Sequence, residues 1–215
     1  MKYLYIDTSS SYLYAAIVED EKIIAKVCED YGQSLSEIAL PKIAAMFEDN
    51  NIKPTDINKI IVVNGPGSFT GIRIGITIAK VYAWSLGTKI TTITSLEAMA
   101  ISNDSNKVKV PIINARRGYV YGAIYDNDKE VLKPQHIKLE ELKDKLQEID
   151  NYIFITNDEF EDLEKTEKYE PDFIKIINKY KDKKEINPHL VNPEYLKLTA
   201  AEESRLWYTV WIRII

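Results

Sequence analysis

Glycine is scarce in this chain and unevenly placed. The 215 residues include 8 glycines, about half the number that average protein composition would give. Four of the eight lie between Gly65 and Gly75, and none follows Gly122. Glycine permits backbone conformations and close approaches that other residues prevent. We therefore expect one specialised loop, at residues 65–75.

Cysteine and histidine are scarcer still. The single cysteine, Cys28, has no partner for a disulfide within the chain, which suits a reducing compartment. The two histidines, His136 and His189, are 53 positions apart. Neither His-Glu-x-x-His nor any other short metal-binding spacing can be formed from them. A metalloprotease is rejected on this ground, and we predict no metal site.

Long apolar runs and an excess of positive charge are also missing. The longest stretch without a charged residue, residues 60–72, has 13 residues, fewer than the ~18 of a membrane helix. Asp7 interrupts the amino-terminal segment before a signal-peptide apolar region develops. The 28 basic and 33 acidic residues give a net charge of −5. This argues against nucleic-acid binding over a large part of the surface, because such binding neutralises many phosphates. A cytoplasmic protein with no membrane contact and, at most, a local basic patch is expected.

The first half of the chain alternates between strand and helix patterns. A proline, Pro41, falls inside the first predicted helix and predicts a bend or a later start there. Gly87 is a typical residue for the end of a helix, and Thr94 and Glu97 have the spacing of a capping box. The predicted strands cover residues 3–6, 12–18, 22–27, 59–64 and 89–94, and the predicted helices cover residues 36–47, 72–86 and a segment from residue 95.

The second half is less regular, because half of residues 126–185 are charged. Strands are predicted at residues 108–113 and 119–125, around a turn at 115–118. A helix follows at 139–149 and a strand at 152–156. In the tail, one helical face would carry Leu206, Trp207, Val210, Trp211 and Ile214, either docked on the chain's own core or in contact with another molecule. We predict two α/β lobes, residues 1–105 and 106–215, with a mixed sheet flanked by helices.

The glycine-rich segment reads GPGSFTGIRIG and lies between a predicted buried strand and a helix. Backbone N–H groups at such a helix start can bind an anion. The segment matches no Walker loop, and Thr70 stands where a dinucleotide-binding motif has its third glycine. Pro66 and Thr70 around Ser68 exclude a nucleophile elbow. A structural turn is the alternative to phosphate binding, for which the candidates are Asp7, Gly65, Gly67, Ser68, Thr70 and Gly71.

The same eleven residues resemble the signature of the TsaB (YeaZ) family. Residues 5–9 (YIDTS), 94–97 (TSLE), 113–121 (INARRGYVY) and 192–196 (NPEYL) resemble further parts of that family, so the likeness is best over residues 1–125. Two positions depart from the pattern. Leu35 stands where the family commonly has a histidine, and Asn114 replaces its usual aspartate.

The resemblance implies an actin/sugar-kinase/Hsp70-like (ribonuclease H-like) fold with duplicated lobes, the second truncated. It implies a non-catalytic scaffold, an inactive homologue of the glycoprotease family. Such a subunit pairs with the related protein TsaD, or with itself when alone, and cooperates with the ATPase TsaE. Together they install threonylcarbamoyl on the adenosine next to the anticodon of tRNA. No intrinsic cofactor is expected, with ATP or ADP bound only together with TsaD and tRNA contacted indirectly.

The predicted helix at residues 72–86 has two charged residues, Arg73 and Lys80, and is apolar on all sides. Such a helix must be covered on more than one side, by the helix near residues 38–47 or by another chain. The candidate partner surface comprises Ile38, Ile43, Met46, Phe47, Arg73, Ile74, Ile78, Val81 and Trp84. Arg116 and Arg117, in an exposed turn, could contact an anion or be solvated.

A second function stays open, that of a stand-alone ATP-binding phosphotransferase. In enzymes of this superfamily a carboxylate at the position of Asp7 lies near Mg²⁺ and phosphate. The alternative is that Asp7 accepts hydrogen bonds from the following turn. The lack of glycine after Gly122 favours the scaffold, because the family resemblance puts a close glycine turn on the adenosine side of such a site.

Overall fold

A computed structural model describes residues 1–127, 129–161 and 163–197. These residues form two five-stranded sheets. The first sheet and its helices comprise β1 (Lys2–Asp7), β2 (Tyr12–Glu19), β3 (Lys22–Asp30), α1 (Leu35–Asp49), β4 (Ile57–Val63), α2 (Phe69–Leu86), β5 (Lys89–Ile93) and α3 (Ser95–Ser102). The second half comprises β6 (Val108–Asn114), β7 (Tyr119–Asp126), β8 (Lys129–Lys138), α4 (Leu139–Asp144), β9 (Tyr152–Ile155), β10 (Thr166–Glu167) and α5 (Phe173–Tyr180).

The two sheets have the same topology. The strand orders are β3-β2-β1-β4-β5 and β8-β7-β6-β9-β10. In each, the first three strands pair antiparallel, and the fourth and fifth run parallel to the first. The predicted duplicated lobes with mixed sheets are therefore confirmed.

The truncation of the second lobe lies in its helices. Its sheet has all five strands, but α4 has 6 residues where α1 has 15. The described residues between β9 and β10 contain no helix, whereas α2, at the corresponding position of the first lobe, has 18 residues. The second sheet consequently has much less helical cover on its outer face.

Helices and sheets alternate as five layers. On the outer face of the first sheet, α1 and α2 bury side chains such as Ile43 and Ile72 against β1 and β4. The helices α3 and α5 fill the space between the two sheets, where Leu96 and Ile176 are fully buried. The short α4 covers the outer face of the second sheet. Because both sheets contribute to the central layer, one continuous core joins the lobes.

Several element boundaries differ from the sequence prediction. Helix α1 begins at Leu35 and passes through Pro41, so the later start is wrong. Helix α2 begins three residues earlier than predicted, at Phe69, because Ser68 caps it. The helix predicted at residues 139–149 ends at Asp144. Strand β8 was not predicted, because charged residues interrupt its apolar pattern. Helix α5 lies in the charged stretch after residue 156, whose sequence fits either a helix or a solvated surface, and the structure shows a helix there.

The carboxyl-terminal part of the described chain returns to the first lobe. The predicted boundary at 105/106 falls between the two sheets, but α5 and the residues after it pack beside β1, β5 and α2. Ile186 N–H donates to Ile90 O at 2.9 Å, and Glu194 N–H donates to Asn64 O at 2.8 Å. We call residues 184–197 the carboxyl-terminal strap. The predicted apolar face of the tail, with Trp207 and Trp211, lies outside the described residues.

A buried lysine fixes the end of α5 to the first sheet. The Lys59 side chain is almost fully buried on β4. Its ammonium donates to the carbonyl oxygens of Tyr180 and Lys181, each at 3.0 Å, and to that of Lys183. A helix end carries partial negative charge, which favours a cation there. Burial lowers the pKa of Lys59.

Helices long and apolar enough to span a membrane do not occur in the described part of the chain.

We expect Lys59→Met to lower the free energy of unfolding by about 2 kcal/mol, because three carbonyl groups lose their donor. A matched control is Lys89→Met, which removes an exposed ion pair between β5 and Glu185 of the strap. This variant should change the free energy of unfolding by about 0.5 kcal/mol or less. Urea denaturation of both variants measures the difference. Equal losses would contradict this account of Lys59.

Candidate functional site

The start of α2 is fixed by the turn between β1 and β2. Ser68 caps the helix, with its Oγ accepting from Gly71 N–H at 3.2 Å. The Ser68 N–H donates to Ser9 O at 2.7 Å. On the next turn of the helix, the Thr8 hydroxyl donates to Gly71 O at 2.7 Å and accepts from Gly75 N–H at 3.0 Å. The turn therefore takes part in the hydrogen-bond ladder of the helix itself.

This close approach explains the glycine cluster. A Cβ atom at Gly67 would lie 2.2 Å from Ser9 O, and one at Gly71 would lie 2.0 Å from Thr8 O. At Gly75 it would lie 2.4 Å from Thr8 Oγ1. All three distances are far below van der Waals contact. We call the contact of residues 8–9 with residues 67–75 the turn–helix contact.

Most of the candidate phosphate-binding groups are already engaged within the chain. Gly67 and Gly71 face atoms of residues 8 and 9, and a Cβ at Gly65 would lie 2.6 Å from Glu194 O. The N–H and hydroxyl of Ser68 are both in use, while Thr70 is exposed. This geometry supports the structural turn, the alternative to a phosphate loop.

Gly71→Ala should lower the free energy of unfolding by about 2 kcal/mol or more, because the new methyl group would overlap the Thr8 carbonyl. Thr70→Ala, at the neighbouring exposed position, should change it by about 0.5 kcal/mol or less. Chemical denaturation followed by circular dichroism compares the two. A mild effect at Gly71 would show that the turn–helix contact tolerates a shift.

Asp7, at the end of β1, is buried at the base of the same turn. Its Oδ1 accepts from Ser9 N–H at 2.8 Å, and the Tyr5 hydroxyl lies 3.5 Å from Oδ2. Burial raises the pKa of this carboxyl group. At the equivalent end of β6, Asn114 Oδ1 accepts from Arg116 N–H, also at 2.8 Å. The departure from the family aspartate at residue 114 thus keeps the acceptor, which supports the turn-forming interpretation of Asp7.

The raised pKa of Asp7 predicts a pH-dependent stability. The folded protein holds this proton to a higher pH than the unfolded chain, whose carboxyl has a pKa of about 3.9. Stability therefore falls as pH rises from that value through the folded-state pKa. Asp7→Asn removes this titration. The melting temperature of the variant minus that of the original chain should therefore increase as the pH rises from about 4 to about 7. Calorimetry across this range tests the sign, and a falling difference would contradict it.

A cleft of about 1370 Å³ lies between the lobes, and Asp7 is one of the residues that line it. The first lobe contributes the β1–β2 turn, and the second contributes Asn114, Arg116 and Lys168. Arg116 and its exposed neighbour Arg117 have positive φ angles of 66° and 55°, which are uncommon for residues with side chains. Within the described residues, no three His, Cys, Asp or Glu side chains come together to hold a metal ion.

Only part of the predicted partner surface is available for contact. Ile43, Met46 and Phe47 are buried in the outer core, and Leu35, at the family's histidine position, is buried there too. Partly buried residues are Ile38, Ile74 and Ile78. Sequence reasoning missed Leu40 on α1, which is 58% exposed. Leu40 lies three residues before the buried Ile43 and seven before the buried Phe47, at the edge of the buried face, so helical periodicity carried no signal for its exposure.

One face of α2 carries exposed side chains from its first turn to its last. Phe69, Val81 and Trp84 are 49%, 57% and 67% exposed, and Arg73 and Thr77 lie between them at helical spacing. We call these five residues the open face of α2. Arg116 and Arg117 lie on the second lobe and are not part of it.

The carboxyl-terminal strap lies along one side of this face. Lys80 donates from Nζ to the carbonyl oxygens of His189 and Val191, at 3.2 and 2.9 Å. At the start of the helix, the Tyr195 ring stacks on Phe69 with centroids 5.3 Å apart. Arg73 Nε donates to the Tyr195 hydroxyl at 2.8 Å. The strap leaves Val81 and Trp84 largely uncovered.

Comparison with known proteins identifies the family. Residues 23–180 match the family model described as "TsaD: tRNA N6-adenosine threonylcarbamoyltransferase". A Bacillus subtilis protein named "tRNA threonylcarbamoyladenosine biosynthesis protein TsaB" is 31% identical, over 94% of this chain and 96% of its own. The chain belongs to the TsaB family. A protein of the same name from Escherichia coli is also 31% identical, over 66% of this chain and 68% of its own.

The TsaB fold is also found among solved structures. A Pseudomonas aeruginosa protein described as similar to peptidase YEAZ superposes with a TM-score of 0.77 over 91% of this chain and 99% of its own. YeaZ from the same organism gives a TM-score of 0.68 over the same shares. Their sequence identities are 15% and 16%, so this likeness concerns the fold. The predicted family and the actin/sugar-kinase/Hsp70-like fold class are both confirmed.

Proposed function

We propose that this TsaB-family chain is a non-catalytic subunit of the assembly that forms threonylcarbamoyladenosine in tRNA. It docks on a TsaD-like protein through the open face of α2. The curated relatives from Bacillus subtilis and Escherichia coli carry that biosynthetic role in their names. The observation that carries the proposal is the open apolar face itself, in a chain of this family.

The open face has the properties of a docking surface. Large side chains are exposed on it, and a further apolar side chain, Leu40, is exposed on helix α1, which packs against α2. Contiguous exposed apolar surface typically marks a protein interaction site. The turn–helix contact and the strap hold α2 rigidly, so little conformational entropy is lost when a partner binds. In the absence of the TsaD-like protein, two copies of this chain would pair through the same face.

The remaining partners follow from the same role. A TsaE-like ATPase cooperates with the pair, and tRNA is contacted mainly through the partners, in keeping with the net charge of −5. ATP or ADP binds only once the TsaD-like protein is present, because the chain's own glycine segment is occupied by residues 8 and 9. The same occupancy weighs against the alternative of a stand-alone phosphotransferase, which needs free donors around phosphate.

Trp84→Asp and Val81→Asp should each weaken the complex with the TsaD homologue of the same genome by about 30-fold or more, since a charge would be buried in an apolar contact. Val131→Asp is the matched control, because Val131 is similarly exposed but lies on β8 of the second lobe. Isothermal titration calorimetry measures the affinities, and circular dichroism verifies that each variant is folded.

Two outcomes would overturn the proposal. One is an affinity for the TsaD homologue that is unchanged by both α2 variants, or equally reduced by Val131→Asp. The other is ATP hydrolysis by the purified chain alone that is lost in Asp7→Asn, which would favour the phosphotransferase.

A further inference from the structure

We propose that Arg73 selects the partner of the open face of α2, and that the docking surface of the TsaD-like protein carries a carboxylate group opposite this arginine. This role of Arg73 rests on the proposed function and adds the chemistry that the partner's surface must have. Three observations support it: the way the arginine is held, the donors that it has left, and the apolar side chains around it.

Two aromatic rings hold the Arg73 guanidinium in place. Its Cζ lies 3.6 Å from the centre of the Phe69 ring and 5.8 Å from that of the Tyr195 ring. The Nε–H donates to the Tyr195 hydroxyl at 2.8 Å. A planar guanidinium can stack on an aromatic ring and donate hydrogen bonds at the same time. Because Arg73 is already held, it loses little conformational entropy when a partner docks.

Most donors of this guanidinium remain for a partner. An arginine side chain has five N–H donors, and the acceptor that Arg73 reaches in the described part of the chain is the Tyr195 hydroxyl. Among the same described residues, Arg73 forms no ion pair. Lys80, the other charged residue of α2, already donates to two carbonyl oxygens of the strap. Arg73 is therefore the charge on α2 that a partner can use.

The apolar neighbours of Arg73 make a counter-charge necessary. Phe69, Val81 and Trp84 are exposed on the same face of the helix. A partner that covers these side chains also removes water from Arg73, and burying an unpaired charge is strongly unfavourable. A carboxylate removes this cost, since it can accept two parallel hydrogen bonds from a guanidinium. The open face should therefore accept a surface with a matching carboxylate and reject an apolar surface without one.

The TsaD-like protein suits this face better than the two other occupants that an arginine allows. RNA phosphates also pair with arginine, but RNA binding needs many positive charges, and Lys80 is engaged with the strap. A second copy of this chain is less suitable too. Helix α2 contains no acidic residue, so a second α2 brings no carboxylate to Arg73.

The spacing along α2 places the partner's carboxylate. Val81 follows Arg73 by eight residues, and Trp84 follows it by eleven. At about 1.5 Å per residue, these intervals correspond to about 12 Å and about 17 Å along the helix. The carboxylate should lie at these distances from the apolar side chains of the partner that cover Val81 and Trp84.

Arg73→Gln should weaken binding to the TsaD homologue of the same genome by about 10-fold or more, because the partner's carboxylate loses its counter-charge. Arg73→Lys should recover only part of this loss, since lysine lacks the planar fork of donors. Lys133→Gln is the matched control, because Lys133 is exposed on β8 of the second lobe, and it should change the affinity by about twofold or less.

A further variant separates partner binding from support of the strap. Tyr195→Phe keeps the ring beside Arg73 but removes the hydroxyl that accepts from its Nε–H. It should weaken binding by about threefold or less, because the guanidinium and its charge remain. Isothermal titration calorimetry at about 50 mM and about 500 mM salt measures all affinities. Salt should weaken binding of the original chain more than binding of Arg73→Gln, since salt screens an ion pair.

A double-mutant cycle identifies the carboxylate. Each exposed Asp and Glu of the TsaD homologue is changed in turn to Asn or Gln. One of these variants should weaken binding to the original chain about as much as Arg73→Gln does. The two changes together should weaken it no further, because each removes the same contact.

Four outcomes would overturn the role of Arg73. They are an affinity that is unchanged in Arg73→Gln, an equal loss in Tyr195→Phe, an equal loss in Lys133→Gln, and the absence of a coupled carboxylate on the homologue. If Arg73→Gln instead weakened only self-association or tRNA binding, a second copy or RNA would be the occupant, and the proposal would be wrong.

The proposed function is judged on different variants. Weak binding by Trp84→Asp and Val81→Asp, with full binding by Arg73→Gln, would leave docking through the open face intact and overturn selection by the arginine. An original chain that does not bind the homologue would overturn both.

Discussion

The contact between the β1–β2 turn and the first half of α2 determines how the first lobe is assembled. Thr8 bonds within the helix ladder at Gly71 and Gly75, and Ser9 O accepts the Ser68 N–H. Any side chain at Gly67 or Gly71 would overlap these groups. The sheet and the helix are thereby fixed to each other by buried, directional bonds, which have much stricter geometry than apolar packing alone.

Two consequences follow for function. Most of the groups that could hold a phosphate contact other parts of the chain, so the glycine-rich loop joins the helix to the β1–β2 turn. The same contact makes α2 a rigid support. One side of α2 packs on the sheet and another lies along the strap, so its open face belongs to a firmly held helix.

The second lobe repeats the first in its sheet but not in its helices. Asn114 closes its turn as Asp7 does in the first lobe, with the same 2.8 Å bond to the residue two positions on. The described chain after β10 adds no cover to the outer face of the second sheet, because α5 lies between the sheets and the strap returns to the first lobe. Lys59 and its three carbonyl partners secure that return. The two lobes are joined through the central layer, to which both sheets contribute buried side chains.

The sequence by itself determined the family, the duplicated α/β fold and the place of the special loop, because glycine spacing and apolar periodicity are local signals. It also indicated α2 as a helix apolar on all sides. Only the tertiary structure decided which side was left open. It buried Ile43, Met46 and Phe47, exposed Leu40 and showed that the glycines serve the Thr8–Ser9 turn. Strand β8 escaped prediction because charged residues interrupt its apolar pattern, and only the structure decided that the charged stretch after residue 156 contains helix α5. These outcomes depend on contacts between residues far apart in the chain, which periodicity does not encode.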